Sequence, residues 1–157
     1  MTKYIKIISI FIFSILLISC GFKRISQDDR RLVKIQNIKI VGDKRISYLL
    51  KNNILIISNK NAKNTFEIEI KTKKKTTNKI KNSAGKVIRF NMNITANLVL
   101  KNINKLESIK KTFTSNIDYN VAETHSDTII NENAAIINII EQISDDIINF
   151  MTFSLSN

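Results

Sequence analysis

The sequence predicts an α+β domain in which two helices pack on one face of a four-stranded, mainly antiparallel sheet. The segment Ile88–Leu100 alternates strictly between apolar and polar residues, as a strand does when one face is buried and the other is wet. The segment from Ile136 to Met151 instead carries apolar residues at helical spacing. Each helix has one apolar stripe and the sheet has one apolar face, so the simplest packing places both helices on the same side.

The first elements of this domain are a bulged strand and a short helix. Alternation over Val33–Val41 slips by one residue at Asn37, which predicts a strand with a bulge. Asp43 then stands where a helix N-cap is expected, because its carboxylate can accept from the first free N–H groups of a helix. Apolar residues at helical spacing predict that this helix runs from about Lys44 to Ile57.

Three hairpin-connected strands are predicted next. Apolar and charged residues alternate in the first of them, over Phe66–Lys71. A lysine-rich stretch from Lys71 to Lys81 separates this strand from the regular strand Ile88–Leu100. A turn over 102–108 and a last strand over 109–121 complete the sheet before the C-terminal helix.

The first twenty residues have the pattern of an exported precursor. Two lysines lie within Met1–Lys6, and the apolar run Ile7–Ile18 is shorter than the roughly 18 residues that a spanning helix needs. The tetrapeptide ending at Cys20, Leu-Ile-Ser-Cys, resembles the lipobox at which bacterial lipoproteins are cleaved and lipidated. Gly21 follows, in place of the aspartate that commonly retains lipoproteins in the inner membrane, so an outer-membrane location is expected.

These features divide the chain into a signal peptide over 1–19, a lipidated N-terminal tether over 20–32 and a single domain over 33–157. Cys20 is the sole cysteine, which excludes an intramolecular disulfide. Its other interpretation is an ordinary cysteine within a leader. Lipoprotein processing adds two or three acyl chains, which anchor a protein stably in a membrane. No cofactor besides this covalent lipid is expected.

The chain is basic, with a formal net charge of +12 at pH 7. Its densest positive charge is predicted at one hairpin end, where lysines interleave with threonines that can donate to phosphate oxygens. The candidate ligand-binding lysines are Lys71, Lys73, Lys74, Lys75, Lys79 and Lys81. Two other interpretations are a solvated hairpin tip and a compositional bias in a chain with 0 Pro and 3 Gly. An anionic lipid fits this cluster better than nucleic acid, because no stacking aromatic lies among the lysines.

The sequence predicts neither an enzyme nor a metal site. His125 is the single histidine, and its neighbours Glu123 and Asp127 make only an incomplete ligand set. The glycine-flanked serine of hydrolases, the glycine-rich phosphate loop and the His-Glu-x-x-His helix motif do not occur. We therefore expect no catalytic residues.

Several short motifs together resemble one known family, the lipopolysaccharide-assembly lipoprotein LptE. Their order and spacing along the chain, combined with the lipobox, carry the resemblance. The matching segments are Cys20-Gly21-Phe22, Val41-Gly42-Asp43-Lys44-Arg45, Arg89 at the start of the long strand, Ile117-Asp118-Tyr119-Asn120, Ser126-Asp127, Glu132-Asn133-Ala134-Ala135 and Ile143-Ser144-Asp145-Asp146-Ile147.

The resemblance implies that the domain plugs the lumen of the outer-membrane β-barrel LptD, helps that barrel to assemble and takes part in delivering lipopolysaccharide to the cell surface. It also implies that Arg89 contacts lipopolysaccharide phosphates, whereas the lysines of 71–81 match the family by position alone. Two other classes stay open. One is a periplasm-facing lipoprotein that binds another anionic envelope ligand or complex, and the other is a small lipoprotein enzyme.

Overall fold

The computed structural model describes residues 33–154. Strand β1 is followed by helix α1, strands β2, β3 and β4, and helix α2. The strands lie side by side in the order β1-β2-β3-β4; β1 pairs with β2 in parallel, and the other two pairs are antiparallel. This arrangement confirms the predicted fold class. The bounds are β1 Val33–Val41, α1 Lys44–Leu55, β2 Asn64–Lys81, β3 Val87–Asn102, β4 Glu107–Asn120 and α2 His125–Phe153.

The predicted signal peptide, lipobox and tether lie outside the described residues. The lower end of the domain is the one at which β1 begins, at Val33, and it also holds the β3–β4 turn. The upper end holds the β2–β3 turn, around Gly85. Both helices run from the upper end toward the lower end, because each follows a strand that runs upward.

The predicted bulge and helix cap are both present in the β1–α1 unit. The register of β1 against β2 shifts between Ile35 and Asn37. Asp43 Oδ1 accepts from the backbone N–H of Arg45 at 2.9 Å and from that of Ile46 at 3.1 Å. Helix α1 ends at Leu55, two residues earlier than predicted, because the chain turns there to return to the start of β1.

Gly42 marks a close approach between the β1–α1 corner and strand β2. Its φ of +145° is one that side-chain-bearing residues rarely adopt. A Cβ at this position would lie 2.7 Å from the carbonyl oxygen of Thr72 and closer still to the Thr72 hydroxyl. Backbone carbonyls of a paired strand cannot move aside cheaply, so only glycine fits here.

We expect Gly42→Ala to lower the free energy of unfolding by on the order of 2 kcal/mol or more, through strain and clash together. The matched control is Gly85→Ala. Gly85 also has a positive φ, +78°, but nothing lies within 4 Å of its would-be Cβ. Urea titration of both variants measures the difference, and equal losses of stability would show that the contact with Thr72 has no cost.

The lysine-rich stretch of 71–81 differs from its prediction, because it belongs to strand β2. Its backbone pairs with β3 up to Lys81, with register shifts near Asn78 and Ile80. Lysine and threonine side chains can remain exposed to solvent on a strand. The backbone groups of the neighbouring regular strand β3 form the hydrogen bonds that hold this stretch extended. Strand β1 ends opposite Lys71, so β2 forms a sheet edge from Thr72 onward. Charged lysines along such an edge oppose the addition of another strand.

The core lies between the helices and one face of the sheet. Alternate residues of β3 from Met92 to Leu100 are buried there, as predicted. Ile88 and Ile109 were predicted on the same apolar face but are 42% and 41% exposed, so the buried face does not extend to them. The helices contribute Ile46, Leu50 and Ile54 from α1, and Ala135, Ile136, Ile139, Ile140, Ile143, Ile147, Ile148 and Met151 from α2.

Polar contacts fix the position of α2. Ser115 Oγ of β4 donates to Gln142 Oε1 at 2.6 Å, and Asn53 Nδ2 of α1 donates to Ser144 Oγ at 3.3 Å. Both serines are buried, so these bonds satisfy groups that would otherwise be costly to remove from water. In residues 33–154 no helix combines the length and the apolarity needed to cross a bilayer.

Candidate binding site on the open face of the sheet

The side of the sheet turned away from the helices is called the open face below. Because successive side chains of a strand point to opposite sides, the odd-numbered residues of β3 lie on it, opposite the buried even-numbered ones. The registers then place partners from β2 and β4 beside them. The central rows of this face consist of Lys71, Lys73 and Lys75 from β2, Asn93, Thr95 and Asn97 from β3, and Thr112, Thr114 and Asn116 from β4.

Three of the predicted lysines form a row along the edge of this face. Lys71, Lys73 and Lys75 are exposed and stand opposite Asn97, Thr95 and Asn93 in turn. Alternate residues of a strand are about 6.6–6.8 Å apart, so the row spans roughly 13 Å. Among the described residues, none of the strand positions in these three rows carries a carboxylate. The adjoining rows of the same face carry Glu69 and Asp118, and in the described part of the chain neither carboxylate forms an ion pair with Lys71, Lys73 or Lys75.

Lys74 does not belong to this row. It stands opposite Ile94, on the helix side of the sheet. Its Nζ lies 3.0 Å from Glu132 Oε1 of α2 in an ion pair. The interpretation of 71–81 as one continuous basic cluster is therefore wrong for this residue, because strand geometry sends adjacent lysines to opposite faces.

Lys79 is also engaged within the protein. Its Nζ forms an ion pair with Asp118 Oδ2 of β4, and Asn91 Nδ2 donates to Asp118 Oδ1 at 2.8 Å. The Lys79 ammonium, followed by the Asn91 amide, holds the pKa of the Asp118 carboxyl below its ordinary value. Asp118 is thus ionised at neutral pH and balances the charge of Lys79.

Arg89 lies at the upper end of the open face. It stands opposite Asn120, and its Nε donates to Asn120 Oδ1 at 2.9 Å. This bond holds the planar guanidinium against β4, two rows above Lys75 and its partner Asn93. Lys81 is exposed at the last position of β2, beyond Arg89. The structure therefore brings Arg89 and the lysine row onto one face but separates them by the row that contains Asp118.

Hydroxyl and amide groups fill the centre of the open face. Thr112 Oγ1 donates to Asn97 Oδ1 at 2.8 Å, and Thr114 Oγ1 donates to Thr95 Oγ1 at 3.3 Å. Such groups both donate and accept, as sugar hydroxyls do. The lysines supply charge-assisted donors to phosphate oxygens. The chemistry of this face therefore suits an anionic ligand that also carries hydroxyl groups.

The β4 residues of this face were not among the predicted site residues. Thr112, Thr114 and Asn116 became neighbours of the lysines only through two strand registers. One signal in the sequence was available, since extending the period-two alternation through the lysine-rich stretch separates Lys74 from Lys73 and Lys75. The ion pair between Lys79 of β2 and Asp118 of β4 reaches across strand β3. No pattern in the sequence indicates it.

The residues around His125 have a structural role. Thr124 caps α2 by accepting from the backbone N–H of Asp127 at 3.1 Å, and its hydroxyl donates to the Asp127 carboxylate at 2.7 Å. Asp127 also lies in the first helical turn, where negative charge favours the helix dipole. Over residues 33–154, no group of three or more His, Cys, Asp or Glu side chains is placed to hold a metal ion.

The fold is a small α+β domain, and the open face of its sheet is polar and carries a row of exposed lysines. The family model for LptE, described as lipopolysaccharide-assembly, matches residues 29–151. The chain therefore belongs to the LptE family. Membership places it among the outer-membrane lipoproteins of lipopolysaccharide assembly, a family that is not enzymatic. A comparison with curated proteins gives no significant match.

Solved structures share the fold at low sequence identity. Rare lipoprotein B from Shewanella oneidensis superimposes with a TM-score of 0.60 at 12% identity, covering 77% of this chain and 97% of that one. A candidate lipoprotein from Caulobacter crescentus CB15 also gives a TM-score of 0.60, at 10% identity, covering 83% of this chain and 94% of that one. At these identities the likeness concerns the fold alone.

Proposed function

We propose that this protein is an outer-membrane lipoprotein that binds and plugs an LptD-like β-barrel and assists the assembly or transport of lipopolysaccharide at the cell surface. In this proposal the open face contacts the phosphates of lipopolysaccharide. The observation that carries it is the row of Lys71, Lys73 and Lys75, exposed beside a polar surface on a domain of the LptE family.

The proposed contact is electrostatic and distributed over several residues. Exposed ion pairs are each worth only about 0.2–1 kcal/mol, so a single lysine contributes little. A row of roughly 13 Å lets several ammonium groups meet a multiply phosphorylated head group at once. Arg89 adds a planar donor at the upper end of the same face. Lys74 and Lys79 contribute less than the sequence suggested, because each already has a carboxylate partner.

The rest of the proposal concerns position in the envelope. Acyl chains on Cys20 anchor the protein, and the domain lies on the periplasmic side of the outer membrane and within the barrel lumen. Family membership and the lipobox support this arrangement. The alternative function is that of a lipoprotein binding another anionic envelope ligand, for which the same open face would serve.

Charge reversal of the lysine row tests the ligand. We expect the triple variant Lys71→Glu, Lys73→Glu, Lys75→Glu to bind purified lipopolysaccharide roughly tenfold more weakly than the parent, because three pairs of about 0.2–1 kcal/mol each are lost and replaced by repulsion. Its binding should also lose most of its sensitivity to salt. Titration of the full-length lipidated protein in detergent with labelled lipopolysaccharide measures both effects.

The control has the same change in net charge at exposed lysines away from the open face. It is the triple variant Lys44→Glu, Lys51→Glu, Lys60→Glu. Both variants should keep the melting temperature of the parent and should co-purify with a large β-barrel partner from solubilised envelopes. Equal weakening by the two triples would mean that net charge, and not the open face, attracts lipopolysaccharide. Loss of the barrel from both parent and variants would favour the alternative function.

A further inference from the structure

The carboxylate of Asp118 on the open face lies among cationic and N–H-donating side chains. Lys79 forms an ion pair with it, and Asn91 Nδ2 donates to its Oδ1 at 2.8 Å. Lys79, then Asn91, and also the positive charge of Arg89 lower the pKa of this carboxyl. An ammonium, an amide and a guanidinium around one carboxylate are the donor set of an anion-binding site.

A β-bulge directs Lys79 toward this carboxylate. The pairing of β2 with β3 skips Lys79 between Asn78 and Ile80, so Lys79 has no partner of its own on β3. Bulges redirect side chains and are frequent beside functional sites. Here the redirected ammonium reaches across β3 to Asp118 of β4.

The ion pair is not needed to hold the sheet together, because β3 already pairs with both β2 and β4 over this region. The side chains of Lys79 and Asp118 are 49% and 29% exposed. Exposed ion pairs contribute little to stability. A ligand can therefore reach both groups, and separating them has a low cost.

Arg89 can donate to an anion at the same place. Its Nε donates to Asn120 Oδ1 at 2.9 Å, whereas its two terminal nitrogens form no hydrogen bond within residues 33–154. Arg89 precedes Asn91 by two positions on β3, so their side chains share the open face about 6.6–6.8 Å apart. An anion that replaces the Asp118 carboxylate thus meets an ammonium, an amide and a nearby guanidinium.

This anion-binding site continues the lysine row of the open face. Asn91 is the next open-face residue of β3 after Asn93, which stands opposite Lys75. Four positions of β2 separate Lys75 from Lys79, which is roughly 13 Å along a strand. A head group that carries more than one phosphate can therefore engage the lysine row and this site together.

We propose that Lys79, Asn91 and Arg89 form a phosphate subsite that the Asp118 carboxylate occupies in the free protein and leaves when a phosphorylated head group binds. The proposal rests on the proposed function, because the subsite is part of the face that contacts lipopolysaccharide. Asp118 competes with the ligand from within the protein, so it limits the affinity, and its return to Lys79 promotes release. The exchange needs only side-chain rotation, which a domain enclosed in a barrel lumen can undergo.

Asp118→Asn tests the competition, because it removes the charge and keeps the shape of the side chain. We expect this variant to bind purified lipopolysaccharide about two- to fivefold more tightly than the parent, since Lys79 becomes one more available cation. Most of the gain should be in slower dissociation. Titration and dissociation of labelled lipopolysaccharide, with the full-length lipidated protein in detergent, measure both quantities.

The matched control is Glu141→Gln, which makes the same change in net charge at an exposed position of α2, on the other side of the sheet. It should bind lipopolysaccharide as the parent does. The double variant Asp118→Asn, Lys79→Gln should lose the gain. Lipopolysaccharide from which the phosphates have been removed should bind equally to Asp118→Asn and to the parent. Inorganic phosphate should not compete, because a single phosphate cannot also engage the lysine row.

A second measurement follows the carboxylate itself. Lys79 holds the pKa of Asp118 below its ordinary value in the free protein, so this pKa should rise when lipopolysaccharide saturates the protein and Lys79 turns to a phosphate. Carboxyl NMR of the protein with labelled aspartate measures the change. An unchanged pKa of Asp118 in the complex would overturn the exchange.

Three other results would also overturn the subsite. They are an equal gain for Glu141→Gln, a gain that persists with dephosphorylated lipopolysaccharide, and a lower melting temperature of Asp118→Asn with unchanged binding, which is the result of a purely structural ion pair. Effective competition by inorganic phosphate would overturn the assignment to a lipopolysaccharide head group. All of these results leave the charge-reversal test of the lysine row, and the proposed function, standing. Absence of lipopolysaccharide binding by the parent would instead reject the proposed function, and the subsite with it.

Discussion

Ile70→Asp should abolish stable folding. Ile70 is completely buried in β2, with Ile40 of β1 and Leu98 of β3 directly beside it. An aspartate there would be surrounded by apolar side chains and would have no partner for its charge. Such a change costs about 4–5 kcal/mol or more, which is comparable with the whole stability of about 5–15 kcal/mol of a typical domain. Far-UV circular dichroism during urea or heat denaturation measures the loss.

The control is the adjacent residue. Lys71 lies one position along β2 and points to the open face, where it is exposed. Lys71→Asp should therefore change the free energy of unfolding by no more than about 0.5 kcal/mol. A one-residue error in the register would exchange the two faces and reverse this result. Similar melting temperatures for the two variants would disprove the assignment of the faces.

Cys20→Ala should remove every lipid from the protein. Cys20 is the single thiol in the chain, so no other cysteine can replace it in lipoprotein processing. The precursor should remain unacylated and uncleaved at the inner membrane, because the processing signal ends at this residue. Labelling with a fatty-acid analogue and membrane fractionation give an all-or-none answer.

A second substitution tests sorting to the outer membrane independently of lipidation. Gly21→Asp places the residue that commonly retains lipoproteins in the inner membrane directly after Cys20. This variant should still be labelled with fatty acid but should fractionate with the inner membrane. Normal labelling of Cys20→Ala would contradict the lipobox, whereas an unchanged location of Gly21→Asp would contradict only the proposed sorting.

The architecture could be predicted because its determinants are local. The alternation in β3, the apolar stripe of α2 and the N-cap at Asp43 each lie within one element, so spacing alone identifies them. The bulge near Asn37 was visible for the same reason. The upper half of β2 was not predicted as a strand, because its lysines and threonines carry no apolar alternation. Its conformation depends on pairing with β3, which is a contact between distant residues.

The candidate site was also predicted only in part from the sequence. Residue type pointed to a basic region and the family resemblance pointed to Arg89, and both lie on or beside the open face. Which lysines lack a carboxylate partner within the protein depends on contacts between residues that are far apart in the sequence. Lys74 meets Glu132, 58 positions along the chain, and Lys79 meets Asp118, 39 positions along it.

By itself, the sequence determined the class of the domain, the order of its elements and the chemistry of its positive charge, because periodicity and residue type act over a few neighbouring positions. The tertiary structure alone decided which face each lysine occupies, which carboxylates neutralise two of them and which apolar side chains are buried in the core. The physical reason is that ion pairing and exposure depend on distances in space, and those distances exist only after the strands have paired and the helices have packed on them.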